Sequence, residues 1–306
     1  DGVRLINCAR GGIIDEKALA DGIASGKIAG AALDVFESEP PTDSPLMELD
    51  RVIVTPHLGA STVEAQKNVA ISVANQCISV LEGGPAKYVV NAPMVPAEQQ
   101  ALVEPYVMLA QKMGRLLIQL IEGRLESIEI TYGGEVAQMP NTKFITRVIL
   151  KGMLDPILQT PVNIVNAEFV AKERGIRMSE TTTEEAQGFR NIICITAKTD
   201  RMTETVSGSV SGPNRARIVS IGGYMTDLTP TGHVVISRHT DKPGVIGKAA
   251  TILGRANVNI AGMQVGRHRP GEEALMVLTV DSSVPADAMD EIRKIDGIHT
   301  AKHAEI

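Results

Sequence analysis

The sequence predicts an α/β chain built from three successive architectures: a parallel, doubly wound stretch, an α+β block, and a terminal βαββαβ unit of ferredoxin-like type. Three observations lead there. Over the first 60 residues, continuous apolar runs alternate with a short helical pattern, as strands of a parallel sheet covered on both faces do. From about residue 97 the hydrophobic period changes to one long helix followed by strands and helices in mixed order. Residues 232–306 then read strand, helix, strand, strand, helix, strand, an order that closes into a four-stranded antiparallel sheet with both helices on one face.

Taken in order, Val3 to Ile6 begin the first strand, which turns at Gly11-Gly12. Asp15 is placed to cap a helix whose inner face is Ala18, Leu19 and Ile23 and which Gly26 closes, because a short acceptor side chain suits the first turn and glycine the last. Apolar runs at 29–36 and 52–55 supply two further strands. Ser61 and Glu64 form an S-x-x-E capping box. It opens a long helix with Val69, Val73, Cys77, Val80 and Leu81 as its buried stripe, ended by Gly83-Gly84-Pro85. Residues 88–96, with Pro93 and Pro96, read as a linker.

In the middle block a helix carries Leu102, Leu109, Met113, Leu116, Leu117 and Leu120 towards Gly123. A strand is expected at 125–132, helices at 144–154 and 165–174, and strands at 191–198, 205–211 and 215–224. The terminal unit places strands at 233–239, 258–266, 273–281 and 298–305, with helices at 244–255 and 285–295. Expected domain boundaries are therefore 1–60, 61–96, 97–231 and 232–306.

Composition removes several classes of function. With 306 residues, a net charge of −6 and no basic run interleaved with aromatics, nucleic acid is not an expected partner, since phosphate binding needs clustered Lys and Arg. No apolar run approaches the roughly 20 residues that span a bilayer, so a soluble protein is expected. The three cysteines, Cys8, Cys77 and Cys194, are far apart and in no ligand spacing; they read as free thiols of a reducing cytoplasm. The six histidines form no helical metal pair, so no metal site is expected. With no Trp and 3% aromatics, the cores must be aliphatic. The chain opens at Asp1 straight into a strand without a signal peptide, and upstream sequence is expected to be missing.

Three polar residues follow the apolar strands, where an open α/β sheet presents its site: Arg10, Glu39 and His57. Oxidising a 2-hydroxy acid needs a base for the hydroxyl proton, and His57 suits that near neutral pH. Glu39 could orient the ring and stabilise the imidazolium, and Arg10 could hold a carboxylate with two prongs. Singly, each has an ordinary reading as a surface ion pair, a loop residue or a turn cap.

The blocks Asn7-Cys8-Ala9-Arg10-Gly11-Gly12, Ala32-Leu33-Asp34-Val35-Phe36-Glu37-Ser38-Glu39-Pro40 and Pro56-His57-Leu58-Gly59-Ala60-Ser61-Thr62 resemble three terminal signatures of the D-isomer-specific 2-hydroxyacid dehydrogenases. The resemblance implies a Rossmann-like domain, of which residues 1–60 would be the C-terminal part, with NAD as cofactor and Arg10, Glu39 and His57 as the catalytic trio. It implies that Asp34 contacts the nicotinamide carboxamide and that Cys8, Ala9 and Gly59 lie against the ring. The third block and the domains after it narrow the resemblance to the serine-pathway branch that oxidises 3-phosphoglycerate. Against this, no G-x-G-x-x-G follows a strand here. The resemblance implies that such a loop lies roughly 70–80 residues before Asp1, and that this chain alone neither holds NAD tightly nor turns over.

At the other end, Asp241-Lys242-Pro243-Gly244-Val245-Ile246-Gly247 opens a helix with small residues, leaving free N–H groups for an anion. Asp241 and Asn259 could serve a free amino acid or be merely a cap and a turn. This segment is similar to the ACT domain, a regulatory module that pairs with itself and binds amino acids at the pair interface. The resemblance implies L-serine as effector, with His239, Asp241 and Asn259 as its contacts, and a homodimer or homotetramer. The middle block resembles the allosteric substrate-binding domain of the same branch, notably at 162–167 and 171–175. Two rivals stand beside this reading: another D-2-hydroxyacid dehydrogenase with a fused regulatory tail, and a module that only binds amino acids and assembles.

Overall fold

A computed structural model of the chain describes residues 1–81, 90, 97–139, 142–212 and 215–306. The chain forms two units, Asp1–Tyr88 and Val89–Ile306. The expected chain end of the long helix at 83–85 and the linker at 88–96 fall almost wholly outside the described residues.

In the first unit, β1 (Val3–Asn7), β2 (Ile28–Leu33) and β3 (Val52–Val54) pair in parallel in the order β1-β2-β3. Between them, α1 (Glu16–Ala24) starts where the Asp15 carboxylate accepts the Ala18 N–H at 2.8 Å. It ends before Gly26, whose φ of +75° only glycine adopts without strain. Leu19 and Ile23 of α1 pack with Leu33, Phe36 and Leu46. Each such side chain contributes about 1.5–3 kcal/mol when fully buried. Ala18 is exposed, so the inner face is narrower than expected. The sheet is covered on one face only: Ile6 and Ile53 stay 74% and 69% exposed, a correction to the expectation of two covered faces.

The long helix α2 (Val63–Leu81) forms as expected, but its cap is Thr62, whose Oγ1 accepts the Ala65 N–H at 3.1 Å, and not the Ser61–Glu64 box. Its presumed buried stripe is open: Val69 and Val73 are 58% and 52% exposed and Cys77 is exposed. The side chains of Val80 and Leu81 lie outside those described.

In the second unit, α3 (Ala97–Leu120), β4 (Leu125–Gly134), α4 (Thr142–Leu154), α5 (Ala167–Glu173), β5 (Arg177–Thr183), β6 (Asn191–Thr199), β7 (Thr203–Val210), β8 (Ala216–Ile221) and β9 (Tyr224–Leu228) follow one another. They build a six-stranded sheet in the order β5-β4-β6-β7-β8-β9, with β4 and β5 parallel. The strand expected at 215–224 is broken: Gly222 and Gly223, both at positive φ, turn β8 back into β9. The strand β5 was not foreseen, because its Arg-Met-Ser-Glu-Thr-Thr-Thr sequence is mostly exposed and lacks an apolar face. Leu109, Met113, Leu116 and Leu117 of α3 and Ile145, Ile149 and Met153 of α4 are fully buried against this sheet. Leu102, also expected inside, is 60% exposed.

Next come β10 (His233–Thr240), α6 (Val245–Arg255), β11 (Ile260–Arg267), β12 (Glu273–Val280), α7 (Ala286–Arg293) and β13 (Ile298–Glu305). Their sheet is antiparallel in the order β11-β12-β10-β13, the ferredoxin-like arrangement expected. Alternation along the strands sorts the two faces. Val235, Met276, Leu278 and Ala301 pack against α6 and α7, with Val245, Leu253 and Ile292. Val234, Ile236, Leu275, Val277 and Ala304 point the other way and join the core of the six-stranded sheet. The two sheets thus share one hydrophobic cluster.

A polar junction ties them further. Glu204 on β7, 5% exposed, accepts both 2.8 Å and 3.0 Å bonds from Arg238 Nη2 on β10. Arg238 also lies 3.6 Å from Glu273 and under the Tyr224 ring, and Tyr224 donates its hydroxyl to Glu273 at 3.0 Å. The turn glycine Gly222 leaves room for this: a Cβ there would stand 2.1 Å from Arg238 Nη2.

Candidate functional site

The loops that follow β1, β2 and β3 leave the same edge of the parallel sheet, the C-terminal edge where such sheets hold ligands. After β2, Asp34 is 5% exposed and gathers the third loop. It accepts Thr55 Oγ1 at 2.5 Å, the Leu58 N–H at 2.7 Å and the Gly59 N–H at 2.7 Å. The Thr55 hydroxyl, followed by these N–H groups, holds the Asp34 carboxyl below the usual carboxylate range. Gly59 is packed against it, since a Cβ at this position would stand 3.2 Å from Asp34 Oδ2 and 3.8 Å from the Cys8 carbonyl. Cys8, Asp34 and Gly59, from three different loops, therefore meet at one point. Cys8 and Ala9 are exposed there.

Glu39 and His57 are joined directly, with His57 Nδ1 2.8 Å from Glu39 Oε2. The other carboxylate oxygen accepts the Phe36 N–H at 3.2 Å. The bond to His57, then that to Phe36, holds the Glu39 carboxyl below its ordinary value. His57 sits at φ 56°, a left-handed backbone that a non-glycine residue adopts only where its surroundings impose it. The Glu39 contact engages Nδ1 and not Nε2, an arrangement that base–orienter pairs use. Both side chains remain partly open to solvent, at 43% and 38% exposure.

Arg10 is on the loop after β1, where Asn7 shapes the turn: its side chain donates to the Arg10 carbonyl at 2.9 Å and accepts the Ala9 N–H at 3.0 Å. The guanidinium of Arg10 is exposed and donates to the Ala9 carbonyl at 2.7 Å. No hydrogen bond or ion pair among the described residues connects it to Glu39 or His57. The structure pairs two of the three expected residues and leaves the third on the adjoining loop. Thr55, Asn7 and Phe36 were not singled out from sequence. A polar residue just past an apolar strand is the signal that would have found Thr55.

The residues expected to take serine are distributed differently. His239, next to the last residue of β10, is 1% exposed, and burial pushes its imidazole down. Asp241 accepts Arg267 Nη1 at 2.6 Å and the Gly271 N–H at 3.3 Å, and Arg267, followed by Gly271, depresses its carboxyl. Asn259 donates instead to Asp281 at 2.7 Å. In the sheet register, Thr240 faces Glu273 while Ile260 faces Val280, so Asn259 lies at the opposite end of the sheet from Asp241. Seven steps of β12 at about 3.3 Å per residue put those two pairs about 23 Å apart within one chain. Among the described residues no group of His, Cys, Asp and Glu could hold a metal ion, and no helix is long and apolar enough to cross a membrane.

Three family models match this chain: the NAD binding domain of D-isomer specific 2-hydroxyacid dehydrogenases over residues 1–59, the D-3-phosphoglycerate dehydrogenase intervening domain over 102–222, and the ACT domain over 233–297. The D-3-phosphoglycerate dehydrogenase of Methanocaldococcus jannaschii is 44% identical over 96% of this chain and 56% of its own length. That of Bacillus subtilis is 44% identical over 98% of this chain and 57% of its own, and that of Archaeoglobus fulgidus 41% over 100% and 58%. The chain spans somewhat more than half the length of these relatives.

Proposed function

Because the chain belongs to the D-3-phosphoglycerate dehydrogenase family, we propose that its residues serve the NAD-dependent oxidation of 3-phospho-D-glycerate at C2 to 3-phosphohydroxypyruvate, the first step of L-serine biosynthesis, in the cytoplasm. The observation that carries this is the 2.8 Å contact of His57 Nδ1 with Glu39 at the edge that also bears Arg10.

In this reading Arg10 swings from the Ala9 carbonyl to the substrate carboxylate, which it meets with two parallel N–H bonds. His57 Nε2 takes the C2 hydroxyl proton, and Glu39 stabilises the imidazolium that results. NAD, when bound, accepts the hydride that leaves C2. The close meeting of Cys8, Asp34 and Gly59 fits the flat nicotinamide end of that cofactor, with Ala9 beside it. Those four residues would hold it there. No glycine-rich phosphate loop follows a strand in this chain, so the chain by itself does not turn over.

The ACT unit takes L-serine as a feedback effector, bound between two copies. Asp241 and Asn259 at opposite ends of one sheet support a head-to-tail pair, in which Asn259 of the partner subunit approaches His239 and Asp241. The outer strand β11 supports the same pairing: Met263 and Val265 on it are 45% and 39% exposed. Inhibition requires serine to bind one global state more tightly than another.

The test joins the chain behind the part of the Bacillus subtilis relative that it does not match. NADH formation from 3-phosphoglycerate is expected in the fusion, falling about 10²–10⁴-fold in His57→Ala, with none from the chain alone. A well-folded fusion without turnover, or His57→Ala at full rate, overturns the dehydrogenase reading. Calorimetry of the chain with L-serine tests the effector separately, and absence of heat overturns it.

A further inference from the structure

The Glu39–His57 pair is more than a third exposed on both sides, so burial does not fix its geometry. Glu39 sits in an exposed segment, Glu37-Ser38-Glu39-Pro40, that precedes the buried anchor Leu46. What fixes this segment is a carboxylate from another element. Glu16, in the first turn of α1, accepts the Glu37 N–H through Oε1 at 2.7 Å. Its second oxygen, Oε2, accepts the Ser44 hydroxyl. One side chain thus brackets both ends of the loop, two residues before Glu39 and five after it. Ser44 in turn caps the short 3-10 turn Pro45–Glu48, which inserts Leu46 at 1% exposure among Leu19 and Ile23. At the loop's near end, Gly11 abuts the chain so closely that a Cβ there would stand 1.8 Å from the Phe36 carbonyl.

We propose that Glu16 is a positioning residue for the Glu39–His57 pair: a clamp that closes the 37–44 loop and thereby aims the Glu39 carboxylate at His57 Nδ1. The proposal rests on the dehydrogenase reading for its meaning in catalysis, though not for its geometry. A carboxylate suits the task because it only accepts, and the loop offers it two donors, one at each end. Charged acceptors make the stronger hydrogen bonds, which counts in a segment with few apolar anchors. Acting through Glu39, Glu16 has no contact of its own with His57.

Nuclear magnetic resonance on the 306-residue chain reads the clamp without substrate. In the wild type, the Glu39 carboxyl carbon should titrate below the ordinary glutamate range, and lose its response to His57 in His57→Gln. In Glu16→Ala the Glu37 amide should exchange about tenfold faster, as loss of one hydrogen bond implies, and the Glu39 titration should move back up towards the ordinary value. Glu16→Gln keeps an oxygen for the Glu37 N–H and should restore most of the wild-type titration, whereas Asp43→Ala, an exposed carboxylate on the same loop, should change nothing. If Glu16→Ala does not fold, Ser44→Ala removes one arm and should give a smaller shift of the same sign. A wild-type Glu39 that titrates independently of His57 overturns the dehydrogenase reading. A coupled titration left unchanged by Glu16→Ala and by Ser44→Ala overturns the clamp alone.

Discussion

Replacing Arg238 by methionine isolates what the polar junction between the two sheets contributes. The substitution keeps the stem's bulk but leaves Glu204, 5% exposed, with only the Thr205 N–H at 3.1 Å in place of two bonds at 2.8 and 3.0 Å. Removing one partner of a buried ion pair costs about 3–5 kcal/mol, because a charge is left without compensation. The lower end applies here, since Arg238 itself is 28% exposed and water can follow it in. For a unit of this size ~3 kcal/mol lowers the melting temperature by about 6–12 °C. Glu204→Gln should cost less, about 1–2 kcal/mol, because Arg238 keeps Glu273 and solvent. The double variant should lose clearly less than the sum, with a coupling of at least ~1.5 kcal/mol. Urea titration followed by tyrosine emission suits the measurement: the chain has no Trp and four Tyr, and Tyr106, Tyr132 and Tyr224 all belong to the second unit. An Arg238→Met variant within ~0.5 kcal/mol of wild type, or strictly additive single losses, would refute the account of the junction.

Burial pushes the imidazoles of His239 and His303 down, so the unfolded chain takes up protons that the folded one refuses. Stability should therefore be full above about pH 6.5, the unfolded value, and fall as the solution is acidified below it; the double variant His239→Asn/His303→Phe should flatten that fall in urea midpoints. Asp34, Glu39 and Asp241 are depressed carboxyls, whose contribution is present above their ordinary range and lost below about pH 4; Asp34→Asn should reduce the acid slope. Charging the free edge of the terminal sheet with Met263→Lys or Val265→Glu should shift light-scattering mass towards the monomer, and an unchanged mass counts against pairing through β11. Gly11→Ala would force a methyl into the Phe36 carbonyl; a loss of about 1–3 kcal/mol from overpacking is expected in the first unit, and a neutral result would mean that the two loops do not touch.

The terminal βαββαβ unit was legible because its apolar strand runs are separated by helical patterns whose buried residues form one stripe, as Val245, Ala249, Ile252 and Leu253 do. The pairing of Glu39 with His57 was legible because each follows an apolar strand of one parallel sheet. What failed has physical causes. Val69 and Val73 have helical spacing but stay exposed, with no covering element among the described residues of their unit, since periodicity shows which side is apolar and not what buries it. The break at Gly222-Gly223 hid inside an otherwise apolar run. Glu16 read as an ordinary first-turn acid, because nothing local marks that its oxygens reach Glu37 and Ser44, 21 and 28 residues on. Asn259 and Asp241 read as neighbours in one site because sequence order says nothing of which ends of a sheet they occupy.

The back of the ACT sheet is largely covered by the six-stranded sheet's core. Val234, Ile236, Leu275, Val277 and Ala304 are counted in the same core as Leu109 and Ile149, so cutting the chain at residue 232 would bare an aliphatic wall rather than release a module. A unit packed this way does not hang on a tether. A shift at the end of β10 therefore bears on β7 as well, through the bonds between Arg238 and Glu204.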